Sequence, residues 1–138
     1  VAFLTQMWFA QYGQLLALDA AGRVCRYCKD PEVGMYLAEA LGHCGECHTP
    51  RNALGGLDTA RWLAGAPNPS GRGTIPNITP GRLTWSEADI AGYLKTGFTP
   101  EFDSAGGHMA EVVRNLSQLP DADLAAIAAY LKAVPPVE

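Results

Sequence analysis

A chain of 138 residues with 48% hydrophobic side chains is sized for one domain with a real core. Its net charge of −4, with no basic run, argues against a nucleic-acid partner. Charged residues make up only 17%, and no purely apolar run is long enough for a membrane-spanning helix.

Residues 1–18 carry no charge. Phe3, Leu4, Met7, Trp8, Tyr12, Leu15 and Leu16 recur at three- and four-residue spacing, which predicts an amphipathic helix with Thr5, Gln6, Gln11 and Gln14 toward the other side. Two readings of that helix stand. It packs on its own domain, or it docks on a partner subunit or a membrane interface, since Trp8 and Phe9 are costly to leave in water. Met7 and Met35 read as core residues rather than ligands. The chain begins with Val1 and shows no basic segment before an apolar one, so any leader is expected to have been removed already. Residues 1–30 are expected to form an N-terminal segment of this helix plus a Cys-x-x-Cys, and residues 31–138 the main domain.

Ala20-Ala21-Gly22 reads as a loop, followed by Cys25-Arg26-Tyr27-Cys28-Lys29. Pro31 suits the first turn of a helix over 31–42, with Val33, Leu37 and Leu41 as its apolar stripe and Gly42 as its stop. Turns are expected at Thr49-Pro50-Arg51-Asn52 and at Gly55-Gly56. Residues 65–82 are rich in Gly, Pro, Asn and Ser, a loop long enough to need a function. A helix is predicted over 85–96, with Thr84 and Glu87 as a capping box, Ala88, Ile90 or Ala91, and Leu94 inside, and Gly97 as its stop. A short helix is predicted over 109–116. The last runs over 120–133, with Asp121 and Asp123 at its positive end and Leu124, Ile127, Ala128 and Leu131 as its inner face. Pro135-Pro136 forbid its continuation.

Gly42-His43-Cys44-Gly45-Glu46-Cys47-His48 contains Cys-x-x-Cys-His, the pattern of covalent c-type haem attachment. Two thiols bond the vinyl groups on one edge of the macrocycle, and His48 then lies under the iron as the proximal ligand. One haem c is expected. The low charge fraction suits a chain wrapped around an apolar group, and the 65–82 loop suits its edge. The iron's second ligand is expected to be Met109, 61 positions after His48 and preceded by Gly106-Gly107, which let the backbone approach closely. A thioether favours reduced iron and raises the potential. His108 is the competing ligand. His43 is expected to point away from the iron and to hydrogen-bond within its loop. Arg51 is read as a propionate partner or a surface cation, and Trp85 and Tyr93 as propionate donors or core.

Cys25-x-x-Cys28, fifteen residues, then Cys44-x-x-Cys47 also matches four-cysteine zinc spacing. Against zinc, the intervening segment reads as a helix, and His48 and Met109 are left without a role. Cys25 and Cys28 stand open between a local disulfide, free thiols and a second haem carrying a lysine ligand.

Residues 34–135 resemble a class I cytochrome c domain, and more narrowly the haem domains of cytochrome subunits of bacterial membrane-associated alcohol, gluconate and sorbitol dehydrogenases. The matching pieces are Tyr36-Leu37, Leu41 through Asn52, Pro76-Asn77-Ile78-Thr79-Pro80, Trp85 through Ile90, Gly106-Gly107 with Met109 through Val113, and Asp121 through Lys132. Those subunits usually carry three haem motifs, and commonly a proline where this chain has His108. The resemblance implies an all-α fold, His48 and Met109 as axial ligands, and electron transfer from a dehydrogenase toward quinone or another cytochrome.

The expected cofactor-binding set is Cys44, Cys47, His48, Met109, Arg51, Asn77 and Trp85, with His48 and Met109 on the metal. The expected function is one-electron carriage between a dehydrogenase donor and a cytochrome or oxidase acceptor, at the periplasmic face of the inner membrane, where bacterial haem attachment occurs. No catalysis by this chain alone is expected. The alternative is a haem enzyme subunit acting on a small sulfur compound, which would need an exchangeable sixth position.

Overall fold

A computed structural model describes residues 30–138 in full, with the backbone of residues 17–18 and 24–25. Strands β1 (Ala17–Leu18) and β2 (Val24–Cys25) pair antiparallel, Ala17 opposite Cys25. The last two residues of the expected 1–18 helix are therefore extended. The remainder of that helix, the Cys25 side chain and Cys28 lie outside the described residues.

Helix α1 is α-helical over Pro31–Met35 and π-helical over Tyr36–Leu41. Pro31 opens it, and Asp30 caps it by accepting from the Glu32 N–H at 2.9 Å. The expected stripe is only partly right. Gly34 and Ala38 are buried, whereas Leu41 is 60% exposed. The Gly42 N–H bonds back to the Leu37 carbonyl at 2.7 Å, a five-residue step that turns later side chains away from 3.6-residue periodicity. Gly42 ends the helix in right-handed geometry, and the left-handed residue is His43, at φ 50°.

Helix α2 (Cys44–His48) is the Cys-x-x-Cys-His pattern itself. A 3₁₀ turn covers Thr59–Arg61. Within the 65–82 loop, β3 (Ala66–Pro67) and β4 (Thr74–Ile75) form a minimal antiparallel pair. Helix α3 covers Glu87–Thr96, and its capping box is Ser86 with Asp89 rather than Thr84 with Glu87. The Ser86 hydroxyl accepts from the Asp89 N–H at 3.1 Å, and the Asp89 carboxylate accepts from the Ser86 N–H at 3.1 Å. The Ser86 hydroxyl also donates to the Asp89 carboxylate at 2.6 Å, and that bond, followed by the one from the Ser86 N–H, holds the Asp89 carboxyl below its usual range. Ile90 and Leu94 form its buried side, Ala88 is exposed, and Gly97 ends it at φ 80°.

Helix α4 (Gly107–Leu116) carries Met109 in its first turn. Helix α5 (Asp121–Ala133) is the central element, crossed by α1 and flanked by α3. Its expected inner face is buried, and so are Ala126, Ala129 and Tyr130, because α1 covers a second flank. The α1–α5 crossing is tight: a Cβ on Gly34 would lie 1.9 Å from the Ala126 carbonyl oxygen. The fold is all-α in class, with helices and long loops around the Cys44–His48 turn. Among the described residues no helix is long and apolar enough to cross a membrane.

Candidate haem site

The chain enters α2 through His43, whose side chain is exposed and makes no capping hydrogen bond, and leaves at Thr49 in extended geometry. One helical turn places Cys44 and Cys47, three apart, on one face. Both are free thiols, Cys44 partly buried and Cys47 exposed. Burial pushes the Cys44 thiol pKa up.

His48 Nδ1–H donates to the Pro76 carbonyl at 2.8 Å. A carbonyl only accepts, so the proton sits on Nδ1 and Nε2 keeps its lone pair for a metal. Burial lowers the imidazole pKa, with the Pro76 bond acting the other way. The peptide after the motif is stapled to the next loop. The His48 carbonyl accepts from the Gly65 N–H at 2.7 Å, and Thr49 Oγ1, 1% exposed, accepts from the Leu63 N–H at 3.0 Å.

Asn77 holds the Pro76 loop in place. Its Nδ2 donates to the Val137 carbonyl at 2.8 Å, and its Oδ1 accepts from the Thr79 N–H and hydroxyl, each at 2.8 Å. Both ends of its amide are thereby engaged with the chain. Arg51 is likewise occupied: Nη2 meets Glu46 Oε2 at 2.6 Å, and Nη1 reaches the Gly55 carbonyl at 3.4 Å. Trp85 packs on the core and edge-on to Tyr93, with ring centroids 5.4 Å apart at 60°. Burial raises the Tyr93 phenol pKa. Met109 is partly buried against the core, and His108 beside it is exposed.

Sequence reading missed three side chains around the motif. Trp62 lies against Gly45. Its Nε1–H donates to Tyr130 Oη at 3.0 Å, and the Tyr130 hydroxyl donates to Glu39 Oε1. Tyr130 is 7% exposed; burial, with the Glu39 bond adding to it, pushes its pKa up to about 12. No periodicity signals contacts between residues 68 and 91 positions apart.

Two thiols on one face and an imidazole whose Nε2 keeps its lone pair are groups of the kind haem c takes, and Met109 adds an uncharged thioether packed against the core.

A family model described as Cytochrome c matches residues 34–135. The chain is 71% identical over 109 residues to a "Diheme cytochrome c-type" of Cereibacter sphaeroides, covering 79% of this chain and 37% of that protein. It is 46% identical over 106 residues to the fructose dehydrogenase cytochrome subunit of Gluconobacter japonicus, covering 74% of this chain and 21% of that protein. It is 37% identical over 111 residues to the gluconate 2-dehydrogenase cytochrome c subunit of Pantoea cypripedii, covering 73% and 25%. The chain thus spans well under half the length of each of these relatives. With the family match taking in the helix that carries Cys44, Cys47 and His48, the chain belongs to the cytochrome c family of haem-bearing electron carriers.

Proposed function

We propose that this chain carries single electrons on one haem c, with His48 and Met109 as axial ligands, and serves a dehydrogenase at the periplasmic face of the inner membrane. The observation that supports this most is the His48 imidazole, held by Pro76 with its other nitrogen free, in the same turn as two free thiols. The haem, when bound, supplies a one-electron ferrous–ferric couple.

Each residue then has a definite task. Cys44 and Cys47 anchor the ring by thioethers and so aim His48. The Pro76 carbonyl fixes the imidazole and strengthens it as a donor. Met109 offers an uncharged soft ligand that favours the reduced state. Asn77 acts by holding the loop that presents Pro76, and Trp85 by excluding water with Tyr93. Arg51 acts through its pair with Glu46 beside the attachment turn. The donor is a dehydrogenase subunit, as the names of the fructose and gluconate relatives support, and the acceptor another cytochrome or an oxidase. Residues 1–18 are the proposed docking segment. The chain itself relays electrons and leaves substrate chemistry to its partner. The zinc reading is set aside, since the family match takes in only one of the two cysteine pairs.

Intact mass and absorption spectra of the whole protein test this. One haem adduct on the peptide holding residues 44–48 is expected, with a low-spin spectrum. Met109→Ala is expected to abolish the sulfur-to-iron charge-transfer band. A bare polypeptide overturns the haem reading, and an unchanged band overturns the Met109 ligand.

A further inference from the structure

The Cys44–His48 turn is braced by a side chain that lies outside the attachment motif. The far edge of the Trp62 indole rests on Gly45, where an added Cβ would meet Cη2 at 2.2 Å, Cζ2 at 2.7 Å and Cζ3 at 2.9 Å. Only glycine fits under the ring at that spacing. The indole is also fixed in rotation, because its Nε1–H donates to Tyr130 Oη at 3.0 Å and the Tyr130 hydroxyl is committed to Glu39. These groups belong to separate pieces of the fold: Tyr130 to α5, Glu39 to α1, and Trp62 to the end of the 3₁₀ turn.

Tyr130 sits at the rigid α1–α5 crossing, where a Cβ on Gly34 would lie 2.8 Å from its own Cβ. The hydrogen-bond chain therefore links that crossing to the peptide between the two haem-bonding cysteines. A directional bond limits the ring's rotation, and a close contact limits the turn's approach to it. His48 is restrained from its other side by Pro76 at 2.8 Å.

We infer that Trp62 is a positioning residue for the His48 imidazole, acting through Gly45 and held in register by Tyr130 and Glu39. This rests on the reading of His48 as the proximal ligand. The relevant freedom is the angle of the imidazole plane, which sets both its overlap with the iron and the electronic asymmetry of the ferric state.

The test uses the full-length haem-loaded protein with Trp62→Phe, Tyr130→Phe, the combination of the two, Gly45→Ala, and Gly45→Ala with Trp62→Phe. The readouts are the ferric low-spin electron paramagnetic resonance g-values, the midpoint potential and the thermal unfolding midpoint. Trp62→Phe and Tyr130→Phe are expected to shift the g-values and the potential in the same direction, and together no further than the larger single change. Gly45→Ala is expected to shift them further, and Trp62→Phe in the same chain to bring them back to the values of Trp62→Phe alone, since phenylalanine lacks the distal ring atoms that collide. If Gly45→Ala alone yields no haem-loaded protein, its recovery in the Gly45→Ala, Trp62→Phe variant supports the role and its continued loss counts against it. Unchanged g-values and potential in Trp62→Phe and Tyr130→Phe, whatever happens to stability, reduce Trp62 to a packing residue and overturn the inference. Additive shifts overturn it as well. Absence of haem or of histidine ligation in the unsubstituted protein is a separate failure, of the haem reading itself, and is seen first in its mass and spectrum.

Discussion

His48 Nδ1 and the Pro76 carbonyl oxygen lie 2.8 Å apart across 28 positions of sequence. The 65–82 loop thus delivers an acceptor that decides which imidazole nitrogen carries the proton. Pro76 has no N–H of its own, but its carbonyl is as good an acceptor as any.

The loop depends on Asn77. Asn77→Ala removes the three hydrogen bonds that tie Asn77 to Thr79 and Val137. At about 1 kcal/mol net for each bond, a loss of about 2–3 kcal/mol is expected in denaturant unfolding. Looser placement of Pro76 weakens the donor strength of His48, which favours ferric iron, so the midpoint potential is expected to rise in a redox titration. A stability loss with no change in potential would separate the loop's packing from its hold on the imidazole.

Gly34 is the tightest point of the helix crossing. A methyl group there would lie 1.9 Å from the Ala126 carbonyl oxygen and 2.5 Å from its carbon, both backbone atoms that cannot swing aside. Gly34→Ala is expected to cost about 3 kcal/mol or to prevent folding, as read by the chemical unfolding midpoint. Gly92→Ala, where nothing lies within 4 Å, is expected to be neutral or mildly stabilising through helix propensity.

Tyr130 links stability to alkaline pH. Its folded pKa is raised from 10.0 to about 12, so folding favours the neutral phenol. That contribution is fully present below pH 10 and is lost as pH rises toward 12. The loss is of order 2 kcal/mol, and Tyr130→Phe is expected to remove this part of the slope. Unfolding free energies of the two proteins measured from pH 8 to pH 12 provide the comparison. The difference between the curves isolates Tyr130 from the lysines that titrate in the same range.

The Glu46–Arg51 pair is short at 2.6 Å, but the side chains are 55% and 48% exposed. Glu46→Gln and Arg51→Gln are each expected to cost under about 1 kcal/mol, and less in high salt. If Arg51 acts through Glu46, the charge-neutral pair of substitutions leaves the potential nearly unchanged. A large potential shift confined to Arg51→Gln would instead put that guanidinium on a haem propionate.

The elements legible in the sequence were those whose cause is local. Cys44, Cys47 and His48 share one turn because three- and four-residue spacing forces it, and the covalent chemistry of the pattern needs no distant partner. The closing helix was legible because Asp121 and Asp123 suit its start and its apolar residues recur at helical spacing. Gly97 stopped its helix for a reason contained in one residue, a backbone at φ 80°. Misreadings arose where local signals competed. Thr84–Glu87 matches the capping-box pattern, but the structure caps the helix with Ser86 and Asp89 two residues on, whose shorter carboxylate makes the same reciprocal bond. Only tertiary structure decided which faces are buried and which nitrogen of His48 is free. Gly34 and Ala38, not Leu41, face α5, because a π turn rotates the later residues and a close crossing demands small side chains. Pro76, Trp62, Tyr130 and Glu39 gained their roles around the motif only when the folded chain closed over it. Hydrogen bonds and packing across such separations leave no period in a sequence, since they depend on where elements meet rather than on how each one is built.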